Sequence, residues 1–138
     1  MIGHITFWGR TGLREKNPMK QDSILLEKSQ RFSLDVIRIC RHLKEANTEY
    51  IMQRQLYRSG TAIGALISEA EFAQSKADFI NKLSIALKEA NEAKYWMTLL
   101  CESQSIHEQS VVQARDLLLE LIRMLVASLK TLKRTGSN

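Results

Sequence analysis

From Asp22 onward, apolar and small residues recur at alternating steps of three and four. The first such run is Leu25, Ser29, Phe32, Val36, Ile39, Leu43 and Ala46, and the second is Leu56, Ser59, Ile63, Leu66, Ala70 and Ala73. The third is Phe79, Leu83, Ala86, Ala90, Ala93, Met97 and Leu100, and the fourth is Val111, Ala114, Leu118, Leu121, Leu125, Ser128 and Leu132. A 3-4 spacing held this long is the seam of helices packed at shallow angles. It predicts helices over about 22–46, 49–74, 76–103 and 107–134.

The breaks between the runs are short and polar. Asp22 is placed to cap the first helix, and Thr48 with Glu49 to open the second after the polar stretch at its start. Ser75-x-x-Asp78 resembles a capping box with aspartate in the place of glutamate, and Ser105-x-x-Glu108 is a full one. Short connections make consecutive helices antiparallel neighbours, so the expected fold is an all-α, up-down-up-down four-helix bundle over residues 22–134. Residues 1–21 hold Pro18 and three glycines without periodicity and read as a flexible arm; residues 135–138 read as a disordered tail.

Composition supports this picture. One proline and six glycines in 138 residues suit no turn-rich β fold, and the length suits one domain. Cys40 and Cys101 stand alone in helical runs and read as small buried hydrophobes of a reducing compartment. The start lacks the basic-then-apolar order of a secretory signal, and no run reaches the ~20 apolar residues of a membrane span. A cytoplasmic protein without a membrane partner is expected.

Little in the chain points to catalysis. None of His4, His42 and His107 follows a glutamate by three residues, so the paired Glu-x-x-His pattern of di-iron bundles is missing and no metal or cofactor is expected. His42 lies two residues from Cys40, on another helix face, and cannot activate it. Glu89 and Glu92 stand among Lys88 and Lys94 and read as an ion-pair face rather than an acid–base couple. We expect no enzyme.

The net charge of +5 is concentrated at the ends of the chain. Lys28, Arg31, Arg38 and His42 share a face of the first helix, interrupted by Asp35, with Arg41 and Lys44 adjoining. That face is either simply solvated or, with Lys130, Lys133 and Arg134, a surface for a phosphate backbone. No aromatics interleave with these charges, so base stacking is not suggested there. On the fourth helix Leu119, Ile122, Val126 and Leu129 form an apolar stripe beside the seam, read either as deeper burial or as a subunit interface.

The second helix carries "RSGTAIGALISEA", Arg58 to Ala70, in which Gly60 and Gly64 lie four apart. Each glycine lowers helix propensity by about 1 kcal/mol relative to alanine, which implies a close packing partner. Arg58 and Glu69 lie ~16 Å apart along the helix, too far to pair with each other. Each must meet another helix or subunit, or remain solvated.

The stretch Tyr57 to Leu100 resembles the four-helix bundle proteins related to those encoded in intervening sequences of bacterial 23S ribosomal RNA. The shared pattern is an arginine, small residues, an Asn-Ile-x-Glu step, a Ser-Lys-x-x-Phe helix opening and a Lys-Glu stretch leading to aromatic-Trp. Arg58, Gly64, Glu69, Ser75, Lys76, Asp78, Phe79, Lys88, Glu89, Glu92, Tyr95 and Trp96 stand at the matching places. The pattern's asparagine falls on Leu66, taken here as a seam position where a polar residue would set register. The resemblance implies a bundle that forms pentamers. A related group serves as a basic accessory subunit of diversity-generating retroelements, binding nucleic acid and a reverse transcriptase. The combined expectation is a non-catalytic homo-oligomer, a pentamer by resemblance, that binds structured RNA or a nucleic-acid–protein complex. The alternative is a scaffold that binds protein alone.

Overall fold

The computed structural model describes residues 18–135 and side chains from Ile24 onward, and in it α1 spans Pro18–Glu45. Asp22 therefore lies inside α1 rather than capping it. Residues 1–17 of the expected arm and residues 136–138 of the expected tail lie outside the described residues. The other helices are α2 (Tyr50–Ala70), α3 (Lys76–Glu102) and α4 (Glu108–Thr135), and no strand occurs among the described residues.

Two of the three connections close the preceding helix instead of opening the next. Asn47 adopts a left-handed φ of 53° after α1, while the N–H of Asn47 donates to Lys44 O and that of Thr48 to Leu43 O. This is the Schellman arrangement, with asparagine at the left-handed position. The Thr48 hydroxyl also donates to Leu43 O, at 3.4 Å, so Thr48 terminates α1 and does not cap α2. Glu49 at the N-cap of α2 likewise makes no side-chain cap bond. The same geometry follows α3: Gln104 has a φ of 60°, its N–H donates to Cys101 O, and that of Ser105 to Leu100 O. Ser105 is thereby held at the end of α3, its hydroxyl against Ser103, and the expected box with Glu108 does not form.

The remaining box is present in altered form. The Asp78 N–H donates to Ser75 Oγ at 3.0 Å, and Asp78 Oδ2 accepts the N–H of Gln74 at 3.1 Å, one residue earlier than a full box uses. The expected end of α2 at 74 moves back to Ala70.

Every seam residue expected on α3, from Phe79 to Leu100, is buried. On α1 all but Ala46 are buried; Ala46 lies past the end of the helix and is exposed. α2 departs in register: Ile67 is 1% exposed and occupies the core, whereas Leu66 is half-buried at its edge. The steps from Ser59 to Ile63 and to Ile67 are both four, within the drift that 3.6 residues per turn allows. On α4 the core passes through Leu125 to Leu129, leaving Ser128 and Leu132 half-buried. α1 packs on α2, α2 on α3, α3 on α4, and α4 returns to α1, closing the bundle.

The glycines of α2 mark where α1 comes closest. A Cβ on Gly60 would lie 2.7 Å from a Val36 methyl, and one on Gly64 would lie 3.3 Å from Ser29 Oγ. Ser29 and Ser33 turn their hydroxyls onto α1's own carbonyls, Leu26 O and Ser29 O, and present a flat surface to the glycines. No helix among the described residues is long and apolar enough to cross a membrane.

Candidate nucleic-acid interface

Long basic side chains on a helix contribute to anion binding only where their charges remain unspent. On α1 two of the candidate cations are committed within the bundle. Lys28 Nζ lies 2.9 Å from Glu120 of α4, and Arg38 Nη1 lies 2.7 Å from Asp35 one turn back. Arg31, Arg41 and Lys44 are exposed and have no ion pair or side-chain hydrogen bond among the described residues.

Lys130, Lys133 and Arg134 are also exposed, but at the other end of the bundle. The Lys28–Glu120 pair sets α1 level with α4 at residue 120, so Arg134 lies ~21 Å further along, away from Arg41. The predicted basic residues thus form two separate patches and not a continuous stripe.

The residues singled out in α2 and α3 assemble into a polar edge. Arg58 Nη1 donates to Glu89 Oε1 at 3.2 Å and Nη2 to Glu92 Oε2 at 2.6 Å. Glu92 also accepts the Trp96 indole N–H at 3.1 Å, and Tyr95 meets Trp96 edge to face, with centroids 5.0 Å apart. The Arg58 guanidinium holds the Glu92 carboxyl below its ordinary range, assisted by the Trp96 N–H, and the two carboxylates raise Arg58. The second oxygen of Glu89 is buried without a hydrogen-bond partner among the described residues. Three turns along α2, Glu69 pairs with Lys82 of α3 at 3.1 Å. Lys88 is exposed, and Gly64 faces α1 rather than this edge. The network ties α2 to α3, and both acids of the supposed acid–base couple are spent on Arg58.

The two thiols are poorly suited to nucleophilic work. Burial pushes Cys40 up to about 11, and its Sγ donates to Gln53 O at 3.5 Å; burial also raises Cys101. No cluster of three or more potential metal ligands occurs among the described residues.

The apolar stripe of α4 divides. Leu129 is buried in the core of the bundle, while Leu119, Ile122 and Val126 remain half-buried. Sequence reasoning missed a different surface. On the outer face of α2, Tyr50, Arg54 and Tyr57 follow one another at steps of four and three and are all exposed, with Ile51 beside them. The signal was the same 4-3 spacing, carried by the polar side of the helix.

Comparison with known proteins agrees with this architecture. A family model described as "23S rRNA-intervening sequence protein" matches residues 21–127. The structure of a protein of unknown function from the S23 ribosomal protein family of Bacteroides thetaiotaomicron is similar over 80% of this chain and 98% of its own, with 41% identity and a TM-score of 0.77. No curated protein matches the chain.

Proposed function

The chain belongs to the 23S rRNA-intervening sequence protein family, and from that premise we propose that it is a non-catalytic, homo-oligomeric bundle that binds structured RNA. The observation that carries this reading is the exposed charge of α1, where Arg31, Arg41 and Lys44 remain unpaired among the described residues. Phosphate contacts of this kind supply sequence-independent affinity.

Oligomerisation gives the reading its strength. One subunit offers only a few free cations on α1 and a separate basic group on α4, and symmetric repetition would multiply both. The half-buried Leu119, Ile122 and Val126 supply apolar area for such contacts, and the family resemblance favours five subunits. The displaced ionisations support a non-catalytic role: Arg58 and Glu92 act on each other, and both thiols are less acidic than usual.

The test is fluorescence anisotropy with a labelled hairpin RNA at 50 and 200 mM salt, about the range over which phosphate-dominated affinities fall by orders of magnitude. Binding that weakens steeply with salt is the expected result. No binding at the lower salt overturns the reading.

A further inference from the structure

We propose that the outer face of the first half of α2, together with the end of α1, holds unpaired nucleotides of the RNA, their bases stacking on Tyr50 and Tyr57. This rests on the RNA-binding reading above and names the part of an RNA that this face would recognise.

Large apolar side chains left in water usually mark a contact surface when they cluster. Here Tyr50 is 64% exposed, Ile51 73% and Tyr57 47%, all within two turns of α2. Arg54 stands between them. The Arg54 guanidinium lies 5.5 Å from the Tyr50 ring centroid, and its Nη1 donates to Tyr50 Oη at 3.3 Å, presenting a flat ring and a flat cation together.

α1 brings further charge to the same level. The Cys40 thiol meets Gln53 O and Val36 packs on Gly60, so Arg41 and Lys44 of α1 stand beside the first two turns of α2. With Arg54 they set three cations against Glu45 at the end of α1 and Glu49 at the N-cap of α2, a positive balance. Tyr50 and Tyr57 are seven residues apart, ~10 Å along the helix, the length of about two to three nucleotides of one strand.

Exposed rings on either side of an arginine suit bases better than a fully paired helix. Every base offers a π face, whereas paired RNA hides its faces and shows mainly phosphate and 2′-hydroxyl groups. The α1 cations would follow the backbone while the α2 rings take the bases.

The experiment compares two labelled RNAs of equal length by anisotropy, one a blunt duplex and the other the same stem interrupted by a run of unpaired uridines. The expected result is that the wild-type protein binds the interrupted RNA at least about tenfold more tightly. The Tyr50→Ala/Tyr57→Ala protein should lose that preference while binding the duplex unchanged, and Tyr50→Phe/Tyr57→Phe should retain it, because a phenylalanine ring stacks as well. Equal wild-type affinity for the two RNAs, or an unchanged preference in the double alanine protein, overturns the proposal while leaving RNA binding intact. Binding to neither RNA overturns both readings. A double alanine protein that binds both RNAs as wild type does but has a smaller mass by light scattering makes the face a protein contact, which also overturns the proposal.

Discussion

At the scale of single residues, two glycines of similar appearance have opposite expected tolerances. A methyl added at Gly60 would press on both Val36 methyls, at 2.7 and 3.0 Å, and Val36 is fully buried and β-branched, with one favoured rotamer in a helix. Overpacking of this kind costs about 1–3 kcal/mol, against roughly 1 kcal/mol recovered in helix propensity. Gly60→Ala should therefore lower stability by about 1 kcal/mol in urea unfolding. At Gly64 the nearest atom is Ser29 Oγ at 3.3 Å, a smaller intrusion, so Gly64→Ala should come out within about 0.5 kcal/mol of wild type. Replacing Val36 by alanine should cost less in the Gly60→Ala background than in wild type, because the two changes share one contact. A Gly60→Ala protein as stable as wild type would show that the helices can separate there without penalty.

Cys40 provides a second residue-scale check. Its folded pKa is raised from 9.0 to about 11 by burial, so the stability it contributes is complete below the unfolded value and is lost as pH rises from about 9 through 11. In the folded protein a thiol reagent at pH 8 should modify the half-buried Cys101 first, with Cys40 reacting only as the chain opens. Equal labelling rates for the two thiols would contradict the packing of α1 on α2.

At the scale of elements, the α2–α3 edge depends on Arg58 bridging Glu89 and Glu92. Because Arg58 holds Glu92 below the ordinary carboxylate range, this contribution is present above the unfolded carboxyl's pKa and is lost as pH falls through the lowered folded value. The pairs are partly solvated, so Arg58→Ala should cost only about 0.5–1 kcal/mol at pH 7. The difference in urea midpoint between wild type and Arg58→Ala should shrink as pH is lowered toward 3; a pH-independent difference would point to packing by the arginine stem. The sequence showed that Arg58 and Glu69 needed partners on another helix, but not which ones, because that choice depends on how α2 and α3 slide against each other. The α3 seam was legible to its last residue, since its 4-3 spacing runs unbroken from Phe79 to Leu100 and every position on it is buried. On α2 the adjacent Leu66 and Ile67 are both apolar, and spacing alone could not choose between them. Threonine and serine serve either end of a helix, so Thr48 and Ser105 were legible as boundary residues but not as closing ones.

At the scale of the whole molecule, the candidate interface was legible in kind more than in arrangement. The basic residues could be counted along the chain, but their pairing with acids on other turns and helices reflects three-dimensional placement, and it separates Lys28 and Arg38 from Arg31 and Arg41. That separation gives a graded prediction for RNA binding. A cation that neutralises a phosphate contributes about one unit to the slope of log affinity against log salt. Arg31→Gln and Arg41→Gln should each flatten the slope by about that amount per subunit engaged, with folding stability little changed. Lys28→Gln should leave the slope nearly unchanged, because its charge is already matched by Glu120, and should instead weaken the contact between α1 and α4. If the assembly presents these residues in several copies, the lost slope should exceed one unit for a single substitution and should return to about one in a protein made monomeric by Ile122→Asp with Val126→Asp. Equal effects of Lys28→Gln and Arg31→Gln would mean that RNA breaks the Lys28–Glu120 pair on binding, and the division of the α1 face into spent and unspent charge would no longer hold.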